Sequence, residues 1–230
     1  LKADDLDDLP GEARLWLHKP NYRWFSTLMH YTREDPDYYR SAIRGYMAAS
    51  SYCDAHVGKV LDALEASGRA ENTIVILWSD HGYFLGQKER WEKFSLYDVA
   101  THVPLIVRVP GQKNKVLCDK PVNLIDIFPT LADLCGLPIP ENLDGTSLVP
   151  LLENPRLAWK PTLITYEYKN HSIRSEDYRY TRYKNGDEEL YHTRSDPQEW
   201  FNISNQPGSR RIMDQLAEWL PKSNAKPIGN

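Results

Sequence analysis

The spacing of apolar residues changes along the chain and marks out its elements. Between Asp35 and Gly68, Ile43, Tyr46, Met47, Ser50, Cys53, Val57, Val60, Leu61 and Leu64 recur three or four places apart, the spacing of one helix face. Asp35-Pro36 offers a cap and a first turn, and Gly68 a stop. One long amphipathic helix is expected. TIVILWS at 73–79 and VPLIVRV at 103–109 are short, β-branched and almost wholly apolar. Such runs suit strands covered on both faces, as in a parallel sheet. LIDIFPTLADLCG at 124–136 returns to helical spacing before Gly136 and Pro138. Helix, strand, crossover, strand and helix predict an α/β fold.

From about Pro155 the pattern shifts. TLITYEYK, SIRSEDYRYTRYK and EELYHTR are tyrosine-rich and partly alternating, with Asn185-Gly186 between the second and third. That dipeptide is a hairpin signal. Arg210 to Leu220 has the spacing of a short amphipathic helix. The expectation is a boundary near 158/159, with an α/β part over 1–158. Residues 159–230 would form a small antiparallel sheet and terminal helix packed on it. The first thirty-five residues predict a surface segment with one short helix.

Composition narrows the function classes. The 230 residues carry a net charge of −4 with dispersed basic side chains, which argues against a nucleic-acid surface. No apolar run approaches the roughly 20 residues that span a bilayer. Cys53, Cys118 and Cys135 show no CxxC or His/Cys spacing, which argues against a zinc site or a dense disulfide framework. Asn170 and Asn202 lie in Asn-x-Ser sequons. LKADDLDDLPGEARLW has no initiator Met, basic n-region or apolar h-region, and reads as if the chain begins inside something longer.

The chemistry gathers where TIVILWS ends. Asp80-His81-Gly82 follows it directly, and in open α/β sheets ligands bind beyond the carboxyl ends of strands. Asp offers hard oxygen ligands, His a nitrogen ligand or a proton carrier, and Gly a close backbone approach. The residues equally allow a helix-capping Asp80 and a solvated loop His81. Lys93 lies in RWEKFS between Trp91 and Phe94. A lysine between aromatic walls can hold an anion in a partly dry pocket. The alternative is a solvated lysine in a loop already carrying Lys88, Glu89, Arg90 and Glu92.

SDHGYFLGQKERWEKFSLYDVATHVPLIVRVPG resembles a segment in the second half of the catalytic domain of formylglycine-dependent sulfatases. Asp-His-Gly, a Trp-x-Lys-aromatic-Ser element and Asp-x-Ala-Thr-His-Val-Pro-Leu follow the order of the iduronate-2-sulfatase-like branch. The flanking YMAASSYCDAHVGKVLDALEASGRAENTIVILW, NLIDIFPTLADLCGLPIPENLDGTSLVPLL and SIRSEDYRYTRYKNGDEELYHTRSDPQEWFNI extend the likeness over about residues 38–204. The resemblance implies the C-terminal part of an alkaline-phosphatase-like α/β sheet flanked by helices. It makes Asp80 and His81 ligands of a divalent cation, usually calcium, and Lys93 the contact to a sulfate oxygen. Tyr83 and Phe94 become pocket walls, and His171 and Arg174 candidates for touching a sugar carboxylate or sulfate. The implied reaction is hydrolysis of sulfate esters on a uronate-containing or other acidic saccharide. The implied setting is periplasmic, extracellular or lysosomal.

Other parts of the family pattern are missing. The cysteines lie in YCDAH, LCDKP and LCGLP, none of which fits the Cys-x-Pro-Ser-Arg motif that becomes formylglycine. They read as buried or incidental thiols. No apolar strand precedes Asp4-Asp5 or Asp7-Asp8, so these are not expected to be the family's metal-binding Asp pair. His18-Lys19-Pro20-Asn21 matches only part of a His-Lys-Pro-His element. His102 fits a branch-typical position or a local hydrogen bond. The nucleophile is therefore expected in an absent N-terminal half, a partner the chain would need. The alternatives are a phosphoester or phosphonate hydrolase of the same superfamily, or a non-catalytic sulfatase-like chain.

Overall fold

The computed structural model describes residues 2–16, 23–112 and 115–225. They fall into two compact units: Leu1–Leu6, Leu15–Lys93 and Val99–Asn114 make the first, and Asp7–Arg14, Phe94–Asp98 and Lys115–Asn230 the second. This division by packing groups 115–158 with the C-terminal sheet, whereas the texture of the sequence placed a boundary at 158/159.

In the first unit, helix α2 (Arg23–Glu34) leads into α3 (Pro36–Ala66). Asp35 caps α3 by accepting hydrogen bonds from the backbones of Asp37 and Tyr38, and Gly68 follows its end at φ 70°. The expected long helix is present. No residue of α3 is buried; Tyr39, Ala42, Ile43, Val57, Gly58 and Leu64 are partly covered. Strand β1 (Val75–Trp78) pairs with β4 (Leu105–Arg108) in antiparallel register, Ile76 opposite Val107 and Trp78 opposite Leu105. The parallel pairing suggested by their apolarity is thus corrected. Uniform apolarity signals two-sided burial, not strand direction, and here neither strand has a buried residue.

The polar stretch between them also differs from a simple crossover. It holds a tight hairpin of β2 (Phe84–Leu85) and β3 (Trp91–Glu92), then the short helix α4 (Asp98–Thr101). Lys88 and Arg90, which read as solvated charges, are 2% and 4% exposed.

The second unit opens with α1 (Gly11–Leu15), and Leu9 and Ala13 are buried there. The leading segment is therefore more than surface chain. Helix α5 (Ile127–Leu134) continues a 3₁₀ turn, and α6 (Val149–Glu153) follows. The sheet then runs β5 (Thr162–Thr165), β6 (His171–Arg174), β7 (Tyr178–Arg182) and β8 (Glu188–His192) in sequential antiparallel order. SIRSEDYRYTRYK is itself a hairpin: Ser175 accepts from the Tyr178 amide at 3.1 Å and turns the chain. Gly186, at φ 91°, makes the expected second turn.

Register sorts side chains onto two faces. Ile173, Tyr180 and Leu190 form one cross-strand row and pack with Met213 and Leu216 of α7 (Ser209–Ala217). On the other face, Ser172 sits opposite Thr181, and Thr181 opposite Glu189. The segment Phe94–Asp98 joins that polar face. Arg179 donates to the Leu96 carbonyl at 3.0 Å, Asp98 at 2.5 Å and Glu199 at 2.5 Å. Arg179 is fully buried; desolvation pushes its pKa down, but the two carboxylates outweigh that and hold it above the ordinary value.

Asn170 is fully buried and donates to the Tyr166 carbonyl, and the Asn202 amide nitrogen donates to the Asp8 carbonyl. Both sequon side chains are committed to the fold. Cys53, Cys118 and Cys135 are exposed free thiols rather than buried ones. Among the described residues no helix is long and apolar enough to cross a membrane.

Candidate active site

The candidate site forms at the carboxyl end of β1. Gly82 donates its N–H to the Ala100 carbonyl at 2.8 Å, and a Cβ on Gly82 would lie 2.0 Å from the Val99 carbonyl oxygen. Only glycine lets the strand end approach α4 this closely. That contact fixes the backbone beside His81.

His81 Nδ1 lies 2.8 Å from the Gly82 carbonyl oxygen, and its Nε2 lies 2.8 Å from Lys93 Nζ. A carbonyl only accepts and an ammonium only donates. The hydrogen-bond pattern therefore assigns the proton to Nδ1 and leaves the lone pair on Nε2. Asp80 Oδ2 is 3.4 Å from the same Nε2, and the Asp80 side chain is 82% exposed while that of His81 is 30% exposed. A carboxylate oxygen, an imidazole lone pair and an ammonium group thus converge. Lys93, twelve positions along the chain from His81, is brought beside the adjacent Asp80 and His81.

As a metal site the cluster is partial. Its donors are of the right kind, and the Gly82 carbonyl on the other ring nitrogen orients the imidazole as is common in metal centres. Calcium takes six to eight oxygen-rich ligands, and among the described residues no group of three or more His, Cys, Asp or Glu could hold an ion. Asp80 and His81 fit one edge of such a site.

Tyr83 stacks at 5.3 Å on Tyr46 of α3, and burial, Glu92 and Tyr46 together raise its pKa. Trp91, expected as a wall beside Lys93, is buried; its Nε1 donates to Thr32 at 3.1 Å and its ring meets Tyr39 edge-on at 6.0 Å. The remaining candidates belong to the second unit. Phe94 packs near Tyr166 with ring centroids 6.4 Å apart. His171 is buried, with ring nitrogens 2.8 Å from Thr165 Oγ1 and 2.8 Å from Asn224 Oδ1. Burial lowers its pKa. Arg174 Nε faces Asp98 at 3.4 Å, and burial, with Arg179 nearby, lowers its pKa. His102 is exposed.

The acidic stretch has structural contacts. Asp5 pairs with Lys88, Asp8 accepts from the Asn202 amide, and Asp4 pairs with Lys2. His18-Lys19-Pro20-Asn21 lies outside the described residues. Sequence reasoning missed the Asp5–Lys88 pair, which no local spacing announces.

Comparison with known proteins places this geometry in context. A sulfatase family model matches residues 16–137, and a model of the C-terminal region of N-sulphoglucosamine sulphohydrolase matches residues 81–226. A sulfatase of Formosa agariphila is 39% identical over 188 residues, covering 81% of this chain and 37% of the relative. Arylsulfatase K of Gallus gallus is 31% identical over 175 residues, covering 69% and 33%. The chain thus spans about a third of the length of the curated relatives it matches. A solved structure of a protein in complex with its substrate D-glucosamine-2-N,6-O-disulfate superposes with TM-score 0.69 at 26% identity, covering 92% of this chain and 47% of that one. The phosphonate monoester hydrolase of Agrobacterium radiobacter superposes with TM-score 0.62 at 27% identity, covering 72% and 37%. With one family model covering residues 16–137 and a second residues 81–226, the chain belongs to the sulfatase family, whose α/β fold it shares.

Proposed function

We propose that this chain supplies part of the active site of a sulfatase that hydrolyses sulfate esters on an acidic saccharide. The observation that carries the reading is the convergence of Asp80, His81 Nε2 and Lys93 Nζ at the end of β1, in a chain of the sulfatase family. Asp80 and His81 would hold one side of a divalent cation, with calcium the expected metal. When bound, the cation would polarise the sulfate and offset charge developing on its oxygens. Lys93 would grip a sulfate oxygen through an ammonium hydrogen bond and set the ester's orientation. The amino-sugar disulfate in the similar solved structure supports a sulfated saccharide as the substrate class.

The nucleophile and the remaining metal ligands would come from an N-terminal half, in the same polypeptide or associated with it. Exposed apolar side chains in the first unit support such a partner: Met47 and Val60 on α3 are 62% and 69% exposed, and Ile106 on β4 is 60% exposed. A phosphonate hydrolase is the second reading, favoured by the superposition on that enzyme class.

The test joins this chain to a formylglycine-bearing N-terminal sulfatase half and measures kcat/KM on sulfated and phosphorylated forms of one saccharide. Sulfate should be preferred, and Lys93→Ala and His81→Ala should each lower kcat/KM about 100-fold or more, on the scale of losing a charge-stabilising donor. Unchanged kcat/KM in both variants would contradict the reading.

A further inference from the structure

Lys93 is carried by a hairpin whose backbone is held in an unfavourable conformation. Lys88, Glu89 and Glu92 all have positive φ, at 47°, 51° and 69°. This left-handed region is costly for residues with a Cβ, and such conformations persist where surrounding contacts over-determine them. Glu92 directly precedes Lys93, so its conformation sets the direction in which Lys93 leaves the chain.

Asp5 supplies the contact at the tip. Its Oδ2 accepts the Lys88 backbone N–H at 2.9 Å, and its Oδ1 accepts from Lys88 Nζ at 2.9 Å. The two side chains are 5% and 2% exposed. One carboxylate therefore fixes both the backbone and the side chain of the strained residue, out of water, where losing a partner is most disruptive. Other contacts finish the hairpin: Tyr39 donates to the Leu85 carbonyl at 2.9 Å, Trp91 to Thr32 at 3.1 Å, and Arg33 pairs with Glu89.

We infer that Asp5 is a positioning residue for Lys93: its buried clamp on Lys88 holds the left-handed hairpin that presents the ammonium beside His81. The inference rests on the sulfate-binding role proposed for Lys93. It gives the acidic N-terminal stretch a role in the site without metal ligation.

The test has two readouts. In the 230-residue chain, Asp5→Asn should speed amide exchange at Leu85, Gly86, Lys88 and Arg90 at least tenfold, while the amides of β6 to β8 keep their rates. Unchanged rates at those four amides, or a uniform rise everywhere, would overturn the clamp. In the joined enzyme, Asp5→Asn should lower kcat/KM at least tenfold in the wild-type background and less than threefold in a Lys93→Ala background, because a residue acting through Lys93 has nothing left to position. Equal losses in both backgrounds would overturn the inference. If Lys93→Ala itself changes nothing, the sulfate reading fails and the positioning role with it, while the exchange rates still report on the clamp. Should Asp5→Asn not fold, Asp5→Leu/Lys88→Met removes both charges and serves in both readouts.

Discussion

Ile173, Tyr180 and Leu190 in the C-terminal sheet are each 0% exposed, whereas Trp78 in β1 is 51% exposed and Ile106 in β4 is 60% exposed. The residue types are comparable, and the difference lies in what covers them. The sheet β5 to β8 has α7 on its apolar face and the segment Phe94–Asp98 on its polar face. The pair β1–β4 and helix α3 have no buried residue at all. The chain spans about a third of its relatives' length. At the candidate site Asp80 and Lys93 meet His81 Nε2, and among the described residues no group of three or more His, Cys, Asp or Glu could hold an ion.

Three experiments would break or sharpen this contrast. The largest effect is expected at Arg179, whose guanidinium pairs with both Asp98 and Glu199 inside the second unit. Arg179→Ala should cost about 3–5 kcal/mol in urea unfolding, because it strands buried carboxylates. A loss under about 1 kcal/mol would show that the network is solvated. Next, Leu190→Ala should cost roughly 2–5 kcal/mol by opening a cavity, while Val60→Ala on the exposed side of α3 should stay within about 0.5 kcal/mol. Equal costs would mean that α3 is already covered.

The smallest effect concerns acid. Burial works against ionisation of Glu188, but hydrogen bonds from Arg210, Tyr180 and Arg182 outweigh it and hold its pKa down to about 2. A depressed carboxylate pKa stabilises the fold above the unfolded value and loses that contribution as pH falls toward the folded value. The unfolding free energy should therefore drop between about pH 4.5 and 2, by about 1 kcal/mol given solvent screening. Arg210→Ala should shrink the drop, and an unchanged drop would remove Arg210 from the account.

Much of this was legible where local chemistry decides. Asp35-Pro36 and Gly68 bracket α3 as their capping chemistry requires, and Asn185-Gly186 turns β7 into β8. Asp80-His81-Gly82 stood out because a strand ends there. Legibility failed where distant residues decide. Asp5 and Lys88 lie 83 positions apart and each looks like a surface charge, yet together they are buried. The hairpin they secure uses lysine and glutamate at positive φ, residue types with no turn signature. The antiparallel pairing of β1 with β4 departs from the parallel expectation because apolarity carries no information about strand direction.

We propose that Asp80, His81 and Lys93 belong to a sulfatase site completed by a formylglycine-bearing N-terminal half. The most direct measurement is sulfate-ester hydrolysis by the 230-residue chain alone and after joining to a formylglycine-bearing N-terminal half, each with calcium present. The account predicts no turnover above background from the chain alone and clear turnover from the joined protein. Robust hydrolysis by the isolated chain, or none from a folded and correctly modified joined protein, would contradict it.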